Sequence, residues 1–144
     1  MAQISIITPA FAAQRSLPQT VASVLAQGFR DWEMLIVSDD GVDYQTLLAQ
    51  QGIVDARLRF LPSQAHGSGP NAARNVALAV AQGQFIAPLD ADDVFYPDRL
   101  DCLMALAADH GMAGDNLHVV DEASGERLQT VFPLDPALRF LGVD

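Results

Sequence analysis

The chain has 144 residues, half of them apolar, enough for one domain with its own core. Eighteen acidic residues face eight basic ones, all arginine, and a formal charge of −10 argues against holding nucleic acid or an anionic membrane by charge neutralisation. The apolar runs fall far short of the roughly 20 residues that span a bilayer, so no transmembrane segment is expected.

The opening "MAQISIITPAF" lacks a basic n-region, so no secretory signal is expected. It enters a β-branched strand, "ISIIT" (4–8), that Pro9 ends. Residues 17–28 follow with Leu17, Val21, Val24 and Leu25 on one helical face. Ser16 suits the N-cap, Pro18 the first turn and Gly28 the stop. "WEMLIVS" (32–38) reads as a buried strand before the turn signal "DDG". A helix over 44–52 and a strand over 57–62 come next, then the Gly-rich loop "QAHGSGP" (64–70). Residues 71–83 predict a helix with Ala73, Val76, Ala77 and Val80 on one face, and 84–89 a strand.

The helix predicted over 97–111 has Leu100, Leu103, Met104 and Ala107 in register, and Asp98 in its opening turn. Cys102 is expected on it as a small apolar filler; being the single cysteine, it allows no internal disulfide, and a reducing, cytoplasmic location is expected. Beyond 114 the pattern predicts a hairpin about Ser124-Gly125, and 134–144 the start of another helix. Four apolar strands alternating with helices imply a mainly parallel sheet with helices on both faces, a Rossmann-like α/β fold. The whole chain is expected to be one domain, with a βα core over 1–114 and the hairpin part over 115–144.

Ligands of such sheets bind outside the carboxyl ends of the strands, where strand order reverses. Two of those ends are acidic. "PLDADDVF" (88–95) can turn Asp90 and Asp92 to one side, with Asp93 directed elsewhere or capping the next element. Two converging carboxylates raise each other's pKa unless a cation lies between them, and Mg²⁺ or Mn²⁺ suits such oxygen ligands. The same residues also fit a solvated acidic turn. "SDDG" (38–41) fits a plain turn, or a carboxylate that accepts a ligand N–H or a sugar hydroxyl. "HGSGPNAARN" (66–75) precedes a helix N-terminus that favours anions, with Arg74 one turn inside; a surface loop with an ordinary ion pair is the alternative. His66 has no Cys or His neighbour and reads as a loop residue. Together these elements outline a nucleoside-diphosphate site.

In this order they resemble family 2 of the inverting glycosyltransferases, which have the glycosyltransferase A fold. "ISIITPAF" is similar to the family's opening strand, so Pro9, Ala10 and Phe11 are expected at the nucleotide. The family's usual Asn after that aromatic is Ala12 here. "WEMLIVSDDG" resembles the second strand with its paired Asp, Glu33 standing in its usual place and Ser38 where the first Asp is usual. The uracil-binding Asp falls on Asp39, and a slide of one residue gives Asp40. "GPNAARNVALAVAQGQFIAPLDADD" resembles the Ala-Ala-Arg-Asn helix followed by the Asp-x-Asp motif. The match implies Arg74 and Ala91 at the nucleotide, Asp90 at the ribose or the metal, and Asp92 on the metal. Pro88 departs from the usual large apolar residue, and proline belongs where the ladder ends.

The resemblance implies a nucleotide-sugar donor, UDP-linked, with Mn²⁺ or Mg²⁺, and a glycan, lipid-carrier or protein acceptor. The family's general base lies well beyond Asp-x-Asp, and neither Asp121 nor Glu122 matches its motif, so no base is assigned. The C-terminal part reads as short or truncated. A homo-oligomer covering exposed apolar sheet, and peripheral attachment at the inner face of a membrane, are expectations from that reading. A non-catalytic nucleotide-sugar-binding module of the same fold is the alternative. "DADDV" also fits the nucleophile motif of haloacid-dehalogenase-type phosphatases, but that chemistry, like a response-regulator receiver, calls for a lysine, and the chain has none. No Gly-Lys-Ser/Thr P-loop occurs, and "TPAFAAQ" lacks the Gly-rich basic opening of nucleotidyltransferases.

Overall fold

The β-branched run after Gln3 forms β1 (Ile4–Ala10), and β2 (Trp32–Ser38), β3 (Leu58–Pro62) and β4 (Phe85–Pro88) lie parallel to it in the order β3-β2-β1-β4. Ile7 faces Leu35 on one side and Pro88 on the other. Pro88 is the last residue of its strand, where a missing N–H costs no ladder bond. This computed structural model describes residues 2–115, 117–121 and 123–130. The described residues divide after Arg99 into two units.

Three helices complete the first unit: α1 (Leu17–Leu25), α2 (Tyr44–Gln50) and α3 (Pro70–Leu78). Ala73 and Ala77 of α3 pack on Ile7, Leu35 and Val37, with Leu61 and Val76 at the margin. Small side chains on α3 let its backbone approach the sheet closely. The opposite face of the strands, Ile6, Met34 and Ile36, is equally buried, and α1 and α2 hold the other buried stripes in Leu17, Val21, Val24 and Leu48. Each such side chain contributes about 1.5–3 kcal/mol by leaving water. Both faces of β1 and β2 are thus covered, as a parallel sheet demands.

Ser16 precedes α1 but makes no capping bond, because its backbone is already helical (φ −88°, ψ −39°). A side chain caps from the extended region, so the hydroxyl is misdirected here. α3 ends at Leu78, several residues before the sequence pattern does. The chain leaves the helix to meet the sheet: the Gln82 amide donates to Glu33 Oε1 at 2.7 Å and the Gly83 amide to Ser5 Oγ at 2.8 Å. Val80, expected on the buried face, is consequently exposed. A Cβ on Gly83 would lie 2.3 Å from the Ser5 nitrogen, so only glycine fits against β1.

Glu33 is the centre of this end of the sheet. It accepts from Ser5 Oγ at 2.7 Å and pairs with Arg59 at 2.6 Å, while Arg59 also donates to the Val80 carbonyl. Burial opposes its ionisation, but the bonds from Ser5, Arg59 and Gln82 outweigh burial and hold its pKa below the usual value.

All but the first residue of α4 (Arg99–His110) lies in the second unit, and the helix buries Leu100, Met104 and Ala107. Asp98 precedes the helix at φ 61°, so the acid of the first turn is Asp101 rather than Asp98. Cys102, expected as apolar filler, is exposed. The predicted hairpin is present as β5 (His118–Val120) and β6 (Arg127–Thr130), antiparallel. Its turn is fastened by Asp121 Oδ1, which accepts from the Ser124 amide at 2.7 Å and hydroxyl at 2.8 Å. Glu122 and the helix expected over 134–144 lie outside the described residues. Among the described residues no helix is long and apolar enough to cross a membrane.

Candidate active site

The chain runs from β1 outward to β2 and β3, then returns to β4 on the other side of β1. The reversal leaves a crevice at the carboxyl ends of the strands, where α/β sheets bind ligands. A cavity of about 510 Å³ opens there. Pro9, Ala10, Phe11, Asp39, Arg74, Asp90, Ala91 and Asp92 all line it; Asp40, expected at the nucleotide or one residue from it, does not, and neither do Asp93 and His66.

Asp39 is buried, yet its carboxylate is well supplied with donors. Oδ1 accepts from the Ser68 amide at 3.0 Å and hydroxyl at 2.5 Å, and Oδ2 from the Gly69 amide at 2.8 Å. The hydroxyls of Ser68 and Ser63, then the two amides, lower its pKa to about 2. The group is therefore a permanent anion, able only to accept. Gly67 and Gly69, at φ 68° and 91°, let the loop fold onto this carboxylate.

Asp40 does other work. Oδ2 accepts from the Ala12 amide at 2.7 Å and the Tyr44 hydroxyl at 2.8 Å; Oδ1 accepts from the Val42 amide and Ser38. Tyr44 in turn accepts from the Ala13 amide at 3.0 Å. Asp40 thus ties the loop after β1 to the start of α2, and that loop carries the cavity wall. Ala12 stands there at φ 51°, a conformation that asparagine tolerates better than alanine.

Arg74 and Asp90 form an ion pair of 2.6 Å, and Arg74 also donates to Asn71 Oδ1 at 3.1 Å. Asp92 is exposed and makes no hydrogen bond among the described residues. Asp93 lies outside the lining; partial desolvation, then the charges of Asp92 and Asp90, raise its pKa, and Arg99 partly offsets them. Among the described residues no three His, Cys, Asp or Glu side chains are placed to hold a metal. Two carboxylates at the cavity do fit Mg²⁺ or Mn²⁺, ions that take one or two carboxylates and fill the rest of their shell from phosphate and water.

The acidic segment is held by a polar stripe on and just beyond α1 that the sequence reading missed. Thr20 Oγ1 donates to the Ala91 carbonyl at 3.0 Å, Ser23 Oγ accepts from the Phe95 amide at 3.0 Å, and Gln27 Nε2 donates to the Tyr96 carbonyl at 2.8 Å. Thr20 and Gln27 are fully buried. Their spacing, i, i+3 and i+7, was a visible signal of a second, polar face on this helix. Ser68 and Tyr44, which orient the two aspartates, carried no comparable signal.

Comparison with known proteins gives the chain's family. The chain is 34% identical over 103 residues to the Escherichia coli UDP-Glc:alpha-D-GlcNAc-diphosphoundecaprenol beta-1,3-glucosyltransferase WfgD, covering 72% of this chain and 40% of that protein. It is 35% identical over 109 residues to a Campylobacter jejuni GalNAc(5)-diNAcBac-PP-undecaprenol beta-1,3-glucosyltransferase, covering 74% and 35%. The chain thus spans well under half the length of these relatives. Among solved structures, S. aureus TarS 1-349 in complex with UDP-GlcNAc superposes with a TM-score of 0.67 at 25% identity, covering 77% of this chain and 32% of that one. The family model described as glycosyl transferase family 2 matches residues 5–136, nearly the whole chain, so the strand-end carboxylates and the helix that carries Arg74 belong to a member of glycosyl transferase family 2.

Proposed function

We propose that the cavity at the switch point binds the nucleoside diphosphate of a sugar donor, UDP-linked, for glycosyl transfer to a lipid-carried or other glycan acceptor. The observation that carries this is the convergence of Asp39, Arg74, Asp90 and Asp92 on one cavity of about 510 Å³, a size suited to a small ligand. Asp39, an anion on the cavity wall, takes an N–H of the base. Phe11, 58% exposed at the rim, offers an aromatic face to it. Arg74 supplies donors to the nucleotide. Asp90 and Asp92 would hold Mn²⁺ or Mg²⁺ against the diphosphate. When bound, that ion supplies Lewis-acid neutralisation of the leaving diphosphate. The relative whose printed name specifies UDP-Glc and a diphosphoundecaprenol-linked sugar supports the donor class and a lipid-carrier acceptor. Such an acceptor would bring the protein to a membrane surface from the cytoplasm.

A second reading keeps binding without transfer. Its support is that no base is assigned: Asp121, the acid downstream of the cavity residues, has its Oδ1 taken up by the Ser124 amide and hydroxyl of its own turn. UDP release from UDP-glucose in the presence of Mn²⁺ and a polyprenyl-diphosphate sugar separates the two. Release that needs the acceptor supports transfer by this chain. Donor binding without release supports the binding module.

A further inference from the structure

We propose that Arg74 is a placeholder cation: its guanidinium neutralises Asp90, and it gives Asp90 up when a diphosphate and its metal enter together. The inference rests on the donor-site reading and adds an order of events to it. The ion pair is short, 2.6 Å, and Asp90 Oδ1 has no other hydrogen-bond partner among the described residues. Arg74 also donates from its other nitrogen to Asn71 Oδ1, one turn earlier on the same helix. The pair lies open to solvent, with Asp90 49% and Arg74 31% exposed, and such a pair exchanges partners readily.

The consequence is competition. A metal ion arriving alone finds Asp92 available and Asp90 engaged by a positive charge that also repels the ion. Among the described residues no third carboxylate, His or Cys completes a site. A diphosphate changes both terms. It brings oxygen ligands for the metal, and it offers Arg74 an anion to bind in place of Asp90. Metal and nucleotide therefore favour each other's binding, and linkage makes that effect reciprocal. A chain without the placeholder should bind metal better by itself and lose much of the coupling.

The test is titration of the full chain with Mn²⁺, followed by the electron paramagnetic resonance of free Mn²⁺, with and without UDP. It uses the native protein, Arg74→Gln, Arg74→Lys, Asp90→Asn and the double variant Arg74→Gln/Asp90→Asn. Thermal unfolding of each reports whether the fold is intact. Without UDP, Arg74→Gln should tighten Mn²⁺ binding by about fivefold, while Arg74→Lys, which keeps the charge, should not. The gain should vanish in the Asp90→Asn background. UDP should tighten Mn²⁺ binding in the native chain and do so less in Arg74→Gln. Unchanged or weaker Mn²⁺ binding by Arg74→Gln overturns the placeholder, as does a gain that persists without Asp90, which would be a general field effect. If UDP and Mn²⁺ bind the native chain cooperatively but Arg74→Gln gains nothing, only the placeholder falls. If neither binds, the donor-site reading falls with it.

Discussion

Two acid–arginine pairs stand at opposite ends of the same sheet, each 2.6 Å long, and they do different work. Glu33–Arg59 lies near the amino ends of the strands. Glu33 is 8% exposed in its side chain, and both its oxygens are bonded, to Ser5, Gln82 and Arg59. Asp90–Arg74 lies at the carboxyl ends, half in water, with acceptor capacity to spare. Bond length does not separate a pair enclosed by the fold from one left open to a ligand. What separates them is how much of each group's hydrogen-bonding capacity the fold has already used.

The largest expected effect breaks the first pair. Glu33→Ala strands a buried Ser5 hydroxyl, the Gln82 amide and Arg59, and should cost about 2–4 kcal/mol in urea unfolding, discounted for the partial exposure of Arg59. Asp90→Asn should change stability by less than about 0.5 kcal/mol while abolishing metal-dependent nucleotide binding. Equal stability losses from the two would erase the contrast.

The next effect concerns the platform under the acids. Gln27→Leu removes the donor to the Tyr96 carbonyl and should cost about 1–3 kcal/mol, with weaker nucleotide binding as the segment over 90–96 loosens. A variant that loses stability but keeps native affinity would show that the acidic segment is positioned by something else.

Asp39 sharpens the comparison through pH. Its folded pKa of about 2 lies below the ordinary 3.8, so its contribution to stability is complete above 3.8, falls as the pH drops and is gone below about 2. Asp39→Asn should flatten unfolding free energy across that window relative to the native chain. An unchanged acid slope would mean the Ser68–Gly69 bonds do not stabilise the anion. The smallest effect is at Ala12: Ala12→Gly should relieve the left-handed strain and stabilise by up to about 1 kcal/mol, measured by thermal unfolding, with the amide bond to Asp40 retained.

The parallel strands and the acids at their ends were legible because each rests on a local pattern: β-branched runs, and carboxylates two residues apart. Pro88 at a strand end followed from its missing N–H. What was not legible is long-range. Thr20 meets Ala91 across 71 residues, and Asp39 meets Ser68 across 29. Asp39 and Asp40 look alike in sequence, yet one faces the cavity and the other clamps a loop, because Ser68 and Tyr44 stand on different sides of them. α3 was read too long because the apolar spacing continues past Leu78, while Glu33 draws the backbone away.

The central claim is that Asp90 and Asp92 serve a diphosphate and its cation. Calorimetric titration of UDP into the chain, with and without Mn²⁺, beside the same titration of Asp92→Asn, tests it most directly. The account predicts binding that requires Mn²⁺ and is lost in Asp92→Asn. Binding of equal strength without the metal, or undiminished in Asp92→Asn, would contradict it and leave residues 90–93 a solvated turn.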